Sequence, residues 1–231
     1  MAGTVTHPDL SLSPDGSPVE FYARLPAGSS PRLIHASIPA GASILELGSG
    51  AGRITHPLLE LGHEVVAVDE SPAMLAHIKG AETIESRIED LKLARRFDVV
   101  LLMSHLIEKP DIEQARAFLR VCRAHVENRG RVLIQRDPPE RRYVDEPPFA
   151  REVAEGCTIS MRELSQASSE LLSFTLDYEI DGSKWTQSVV TRPVDDRSLA
   201  YELGLADLEI DRFLNPSRSW VSARPSQLSP R

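Results

Sequence analysis

The sequence predicts an α/β fold with a mostly parallel central sheet, for three reasons. Between residues 43 and 135, apolar segments of strand length alternate with segments of helical periodicity. Residues 98–103 are almost wholly apolar, which is typical of a central parallel strand covered on both faces. The 231 residues are enough to bury one full core. Strands joined by helices should therefore lie parallel, with right-handed crossovers.

The alternation assigns five strands and three helices. The predicted strands are residues 43–47, 63–69, 83–86, 98–103 and 131–135. The predicted helices between them are residues 52–61, 71–80 and 111–128. Ser71 followed by Pro72 is a favourable N-cap and first-turn pair, which supports the start of the second helix.

The pattern changes after residue 137, where apolar and polar residues alternate as in half-buried antiparallel strands. The apolar positions of the clearest such segment are Phe174, Leu176, Tyr178 and Ile180. Asp181-Gly182 is a strong signal for a two-residue hairpin turn. We therefore predict an antiparallel flap at residues 157–192, inserted after the fifth strand. A helix and two strands complete a seven-stranded sheet, at residues 195–203, 208–214 and 219–223.

Composition restricts the partners and the location. The net charge of −8 disfavours a nucleic-acid backbone as the main partner. No apolar run has the length of a membrane span, and the first residues lack a signal pattern. Cys122 and Cys157 form neither a disulfide framework nor a metal motif. We expect a cytoplasmic protein that is a monomer or homodimer and has neither nucleic acid nor a membrane as a partner.

The N-terminal segment differs from the rest of the chain. Residues 1–18 are polar and contain three prolines, which indicates a flexible arm. Residues 19–231 are expected to form a single domain.

A glycine loop follows the first strand. Gly48, Gly50 and Gly52 form a G-x-G-x-G pattern, which allows a tight turn and close approach of a ligand to the backbone. Arg53 occupies the position where a dinucleotide fingerprint has its third glycine, which argues against a pyrophosphate cofactor. Asp69 ends the second strand 21 positions after Gly48, at the distance of an acid that binds ribose hydroxyls. The loop therefore predicts a nucleoside ligand.

The segment Glu46-Leu47-Gly48-Ser49-Gly50-Ala51-Gly52 resembles the first motif of class I S-adenosylmethionine-dependent methyltransferases, E/D-x-G-x-G-x-G. Residues 69–75 resemble the second motif of that family. The resemblance spans residues 44–137. It implies a Rossmann-like sheet with helices on both faces and S-adenosylmethionine as the cofactor.

The resemblance also implies a set of cofactor-binding residues. Glu46 is expected to receive the ammonium of the ligand, directly or through water, and Asp69 the ribose hydroxyls. Met74 either packs on adenine or belongs to the core, and Tyr22 either closes over the ligand or packs against the final helix. The whole set is Tyr22, Glu46, Gly48, Ser49, Gly50, Gly52, Asp69, Glu70, Met74, Ile88, Glu89, Met103 and Ser104.

One position departs from the family. Arg87 stands where relatives usually have the acid that accepts from the adenine amino group. Adenine is then expected to be read by backbone groups near Ile88, or by Glu89 or Asp90.

His105 is the candidate catalytic residue because it follows the fourth strand, where the family places the reactive methyl group. A neutral imidazole can take a proton from a phenol or an ammonium group. The alternative is a histidine that orients substrate or bonds to backbone. Asp137 alone does not form a metal site, so we expect no metal. The predicted acceptor-binding residues are Gln135, Arg136, Tyr143, Tyr178, Trp185 and Arg192.

The sequence thus favours a metal-independent enzyme that transfers a methyl group from S-adenosylmethionine to an oxygen or nitrogen of a small molecule. One alternative is a catalytically degenerate protein that binds the ligand and regulates a partner. A second is a protein methyltransferase. A nicotinamide oxidoreductase conflicts with Arg53.

Overall fold

The computed structural model describes residues 11–139 and 149–226. In chain order its elements are α1 (Val19–Arg24), α2 (Ser30–Ser37), β1 (Ser43–Leu47), α3 (Thr55–Glu60), β2 (Glu64–Asp69), α4 (Pro72–Leu75), β3 (Glu82–Glu85), β4 (Phe97–Leu102), α5 (Ile112–His125), β5 (Val126–Gln135), β6 (Phe149–Ala154), β7 (Cys157–Gln166), β8 (Leu172–Ile180), β9 (Ser183–Thr191), α6 (Asp196–Leu205), β10 (Leu208–Phe213) and β11 (Trp220–Pro225). Short 3-10 turns cover Ile88–Asp90 and Leu106–Glu108.

The central sheet has seven strands in the order β10-β11-β5-β4-β1-β2-β3. The pairs β1–β2, β1–β4, β2–β3 and β4–β5 are parallel, whereas β11 is antiparallel to both β5 and β10. The chain leaves β1 towards β2 and returns on the other side to β4. The carboxyl ends of β1 and β4 therefore flank a topological switch point, where open α/β sheets bind ligands. This arrangement confirms the predicted Rossmann-like fold.

Strand β4 shows why the centre of the sheet is apolar. Val100 and Leu102 belong to the core layer that contains α5 and α6, whereas Val99 and Leu101 belong to the opposite layer with α2 and α3. All four side chains are fully buried. Because both faces are covered, the alternation seen in half-exposed strands is absent here.

The helices that follow the ligand-side loops are shorter than predicted. Gly52 has a φ of +85° and keeps the loop out of the helix, so α3 begins only at Thr55. Helix α4 ends at Leu75 rather than near residue 80. The backbone N–H of Lys79 donates to His56 Nε2 at 3.0 Å instead of continuing a helical ladder. Within the described ranges, no helix is long and apolar enough to cross a membrane.

The flap is a second sheet of four antiparallel strands, β6-β7-β8-β9. Asp181 and Gly182 both have positive φ, at 47° and 85°, and join β8 to β9 in the predicted two-residue hairpin. The sequence prediction missed β6, which extends the flap on the N-terminal side of residue 157.

The N-terminal region packs against the flap. Residues 11–18 form a turn in which Asp15 accepts from Ser13 Oγ and from the backbone of Ser17. The side-chain amide of Gln187 in β9 donates to the Asp15 carbonyl at 2.8 Å. The described end of the predicted arm is thus bonded to the domain, while residues 1–10 lie outside the described residues. The domain boundaries themselves stay a prediction.

Candidate functional site

The glycine loop after β1 is open on one side. Gly48, Gly50 and Gly52 have φ values of 68°, 55° and 85°, which L side chains rarely adopt. A Cβ on Gly48 would lie 2.8 Å from Leu106 Cδ1, and one on Gly52 would lie 2.8 Å from His56 Cε1. A Cβ on Gly50 would meet nothing within 4 Å. Packing therefore explains the outer two glycines, and the middle one faces free space.

Asp69 holds this loop in place. Its Oδ2 accepts from the Gly50 N–H at 2.8 Å and its Oδ1 from the Ser71 N–H at 2.9 Å. One carboxylate thus ties the end of β2 to the loop after β1. Burial raises the pKa of Asp69, although both backbone N–H groups favour its ionised form. Each oxygen has a second lone pair, so the group can still accept hydrogen bonds from a ligand.

Glu46 is a buried acid beside the same loop, with only 3% of its surface exposed. Its Oε2 accepts from Thr55 Oγ1 at 2.6 Å. Burial raises the pKa of Glu46 to about 7, against the opposing effects of the Thr55 hydroxyl and the Arg53 charge. A cation bound next to this carboxyl group would favour its ionised form.

Ser49 adds an unpaired polar atom to the loop. Its Oγ is buried, and the described residues offer it no hydrogen-bond partner. Buried hydroxyls are normally bonded, so the atom is suited to a ligand.

One wall of the loop is apolar. Met74 is 3% exposed and packs with Val19 and Ala51, with Tyr22 at the edge of this cluster. Helix α1 therefore lies against the glycine loop. The burial of Met74 supports the core alternative of the two that the sequence left open. Ile88 is also buried, and its Cδ1 lies 4.0 Å from the position of a Cβ on Gly48.

The acids predicted near adenine have different surroundings. Glu70 is exposed directly after Asp69. Glu89 is paired with Arg87 and also accepts from Gln114 Nε2 at 3.3 Å. Arg87, which stands where relatives usually have an acid, is thus paired with Glu89.

The chain turns sharply at the end of β4. Met103 is buried, and the next two residues, Ser104 and His105, have φ values of 53° and 62°. Left-handed conformations are uncommon for residues other than glycine and concentrate at functional sites. The Ser104 N–H donates to Gln135 Oε1 at 3.2 Å, which fixes the turn against the end of β5.

His105 forms a pair with Glu108, a residue that the sequence reasoning missed. His105 Nδ1 lies 2.7 Å from Glu108 Oε2, while 46% of the His105 side chain stays exposed. Burial raises the pKa of Glu108, and the bond to His105 opposes this shift. The spacing His-x-x-Glu is the signal that was overlooked, because residues i and i+3 share one side of a 3-10 turn.

Asp137 approaches the same pair. Its Oδ1 lies 3.7 Å from His105 Nδ1, and its backbone N–H donates to both Glu108 carboxylate oxygens at 3.2 Å. One ligand atom from each of the three side chains lies within 4.8 Å of the others, a spacing that a metal ion could use. The expectation of no metal assumed that Asp137 stands alone, and the structure corrects that assumption.

Two predicted acceptor residues have structural contacts instead. Arg136 is 1% exposed; its guanidinium donates to the carbonyls of Val194 and Arg218 and pairs with Asp196. Tyr178 is also 1% exposed, and its hydroxyl donates to Gln187 Oε1 at 2.8 Å. Burial raises the pKa of Tyr178 above its usual value. Neither side chain faces open space, which contradicts their predicted contact with an acceptor.

The other acceptor predictions fall in three different places. Gln135 lies at the turn after β4, as its bond to Ser104 shows. Trp185 is partly buried in β9, and its Nε1 has no partner among the described residues. Arg192 directly follows β9, and its guanidinium contacts the turn of residues 106–108 through the Ile107 carbonyl. Tyr143 lies outside the described residues.

The sheet order, the open glycine loop and the acid at the end of β2 define a nucleoside-binding α/β domain. Residues 44–130 match a family model described as a methyltransferase domain. This match covers less than half of the chain, and it agrees with the resemblance of residues 46–52 to the first motif of class I S-adenosylmethionine-dependent methyltransferases.

Curated relatives match only part of the chain. An uncharacterized methyltransferase of Mycobacterium tuberculosis is 42% identical over 79 residues, which are 34% of this chain and 32% of that protein. A ubiquinone biosynthesis O-methyltransferase of Bradyrhizobium sp. is 33% identical over 103 residues, which are 41% of this chain and 40% of that protein. The chain thus spans less than half the length of these relatives.

Solved structures match nearly the whole fold. The sugar N-methyltransferase of Streptoalloteichus sp. superposes with a TM-score of 0.71 and 18% identity, covering 98% of both chains. An amino pentose methyltransferase of Micromonospora echinaspora superposes with a TM-score of 0.69 and 17% identity, covering 87% of this chain and 90% of that one. At these identities the similarity establishes the fold.

Proposed function

We propose that this protein transfers a methyl group from S-adenosylmethionine to an oxygen or nitrogen of a small molecule. The observation that carries the proposal is the free space at Gly50, bordered by the Asp69 carboxylate that holds the loop. Relatives named as sugar N- and ubiquinone O-methyltransferases support a small-molecule acceptor. Because these names differ in the methylated atom, oxygen and nitrogen both remain in the proposal.

In this proposal different residues around the loop bind different parts of the cofactor. Asp69 accepts from the ribose hydroxyls with its remaining lone pairs. Glu46 lies on the side of the methionine ammonium, and Ser49 Oγ bonds to the same part of the ligand. Backbone groups near Ile88 border adenine, since Glu89 is engaged by Arg87 and Gln114.

The cofactor supplies an activated methyl group on a sulfonium, which is displaced in line by the acceptor atom. The protein supplies alignment and exclusion of water. Helix α1 and the flap cover the loop from one side, because Tyr22 packs against the Met74 cluster while Phe21 packs on Tyr178, with ring centroids 4.8 Å apart.

His105 removes the proton of the acceptor. Its Nδ1 faces Glu108, so the neutral ring that donates from Nδ1 leaves Nε2 as the basic atom. Glu108 positions the ring and stabilises the imidazolium that forms when the proton is taken up. The cluster with Asp137 also allows a divalent cation at this place, and removal of metal by a chelator distinguishes the two arrangements.

A methyl-labelling experiment tests the proposal. The protein is incubated with S-adenosylmethionine labelled in the methyl group and with a cell extract separated into small molecules and proteins. We expect label in the small-molecule fraction. Label confined to proteins would favour a protein methyltransferase. Binding of S-adenosylhomocysteine without any transfer would favour a regulatory protein.

The proposal includes a cytoplasmic location. Cys122 and Cys157 are both free cysteines, which agrees with a reducing compartment.

Asp69→Ala is expected to weaken binding of S-adenosylhomocysteine by about 10- to 100-fold, because charge-assisted hydrogen bonds contribute roughly 1.5–3 kcal/mol each. The ribose loses its acceptor, and the Gly50 N–H loses its partner. Titration calorimetry measures the change.

Asp98→Ala is the matched control for Asp69→Ala. Asp98 also accepts from a backbone N–H, that of Ser43 at 2.9 Å, but lies near the start of β4 at the opposite edge of the sheet. Equal losses of affinity in the two variants would contradict a ribose contact at Asp69.

Cofactor affinity is expected to depend on pH through Glu46. The raised pKa of about 7 means that the free protein is largely protonated at this group below neutral pH. If the ligand ammonium pairs with the carboxylate, binding must release that proton. Affinity for S-adenosylhomocysteine should therefore fall as pH drops below 7, by at most about tenfold per pH unit, and level off above 7. Glu46→Gln should remove this dependence between pH 5.5 and 8, and an unchanged slope would exclude the pairing.

A further inference from the structure

A cavity of about 800 Å³ lies apart from the glycine loop, between the flap and two helices. Its walls come from the β7–β8 hairpin end, the start of α5 and the first turns of α6. Leu171, Leu172 and the exposed ring of Tyr201 give it an apolar surface, and Arg192 and Arg197 bring positive charge. The volume is in the range of small-molecule sites.

Arg192 is the unusual residue of this cavity. It is 9% exposed, yet within the described part of the chain its guanidinium makes one hydrogen bond, from Nη2 to the Ile107 carbonyl at the long distance of 3.4 Å. Its Nε is buried and lacks a partner among the described residues. Within the described ranges, no carboxylate lies within ion-pair distance of Arg192. Leaving a buried charge uncompensated is strongly unfavourable unless a ligand supplies the missing acceptor.

The other buried or half-buried arginines nearby show what a paired group looks like here. Arg136 has two carbonyls and Asp196 as partners. Arg116 binds both carboxylate oxygens of Glu202, at 2.7 and 3.2 Å. Glu202 lines the cavity, but it is paired with Arg116 and not with Arg192.

The charged side chains of the cavity other than Glu202 carry a net positive charge, because Arg192 and Arg197 outnumber Glu170. Arg197 is exposed, and the described residues place no acid within ion-pair distance of it. Asp195 caps α6 by accepting from the Ser198 N–H at 2.7 Å, a bond that lowers its pKa, and the Arg197 charge acts in the same direction. Glu170 is the opposing acid, exposed at the hairpin end and likewise without an ion pair in the described ranges.

Arg192 links the cavity to the candidate catalytic turn, because it lines the cavity and bonds to the backbone of that turn. The backbone N–H of Arg192 donates to the Glu108 carbonyl at 2.9 Å, and the Glu108 carboxylate bonds to His105. The turn of residues 106–108 therefore lies between the guanidinium and the imidazole.

We propose that this cavity is an anion-binding subsite, in which Arg192, assisted by Arg197, binds a carboxylate or phosphate group of the methyl acceptor. The inference rests on the proposed function for the identity of the ligand. Binding of the anion itself does not depend on methyl transfer. An acceptor that carries its anionic group here would be held beside the turn that presents His105.

The test measures binding of inorganic pyrophosphate and of citrate, as representatives of the two anion classes, by calorimetry on the full chain. We expect at least one of them to bind, and Arg192→Met to weaken binding tenfold or more. Arg197→Gln should weaken it by a smaller factor. Because no described carboxylate pairs with Arg192, Arg192→Met should keep or raise the melting temperature of the protein without anion, whereas Arg136→Met should lower it.

Arg162→Gln is the matched control, since Arg162 lies on the same flap but is paired with Asp177 and Glu163. Its affinity for the anions should equal that of the unmodified chain. The subsite is overturned if neither anion binds, or if Arg192→Met and Arg162→Gln have equal effects. If anion binding behaves as expected while no acceptor is ever methylated, the subsite stands and the proposed function fails.

Discussion

Gly50→Val is expected to abolish measurable binding of S-adenosylhomocysteine, with a loss on the order of 100-fold or more, or about 3 kcal/mol. The middle glycine faces free space, and a valine side chain would fill the volume where we place the ligand. The change tests close approach of the cofactor to the backbone. Calorimetry or a thermal-shift titration with S-adenosylhomocysteine measures it.

Backbone strain needs a separate control, because Gly50 has a φ of 55° and valine adopts such values poorly. Gly62→Val provides it. Gly62 has a φ of 86° and free space around its Cβ position, but it lies before β2 at the opposite edge of the sheet. Gly62→Val should lower stability and leave affinity nearly unchanged. Normal cofactor binding by Gly50→Val would refute the proposed approach of the ligand.

His105→Ala is expected to lower turnover by roughly 10²- to 10⁴-fold, the usual contribution of a general base, while cofactor affinity changes little. Glu108→Gln should cause a smaller loss and alter the pH profile of turnover, since the amide still holds the ring but no longer stabilises the imidazolium. Steady-state kinetics with the acceptor identified by labelling gives both values.

Two further outcomes decide what His105 does. Equal activity of His105→Ala would reduce the residue to a wall of the pocket. If His105, Glu108 and Asp137 instead hold a divalent cation, a chelator should abolish activity and an added metal should restore it. For a general base we expect turnover to be insensitive to the chelator.

The sequence predicted a structural feature correctly where the local backbone or its burial requires a particular type of residue. The apolar run of β4 predicted burial on both faces, and Asp181-Gly182 predicted a turn that needs two positive φ values. The glycine loop and Asp69 were also placed correctly at the carboxyl ends of β1 and β2, because these positions depend on strand order alone.

Tertiary contacts decided the features that the sequence did not reveal. Arg136 and Tyr178 are residue types that are common in binding sites. In the structure Arg136 pairs with Asp196, 60 positions along the chain, and the Tyr178 hydroxyl bonds to Gln187 on the neighbouring strand β9. Glu108 was overlooked because its role depends on a 3-10 turn too short to leave a periodic pattern. That Arg192 Nε is buried without a partner among the described residues likewise follows only from the folded structure.

A crystal structure with S-adenosylhomocysteine tests the central claim most directly. We expect the ribose hydroxyls within hydrogen-bond distance of the Asp69 carboxylate, the ligand in the free space at Gly50, and the open side of the sulfur towards His105. Adenosine bound elsewhere in the fold, or a ribose without contact to Asp69, would contradict the proposed cofactor site.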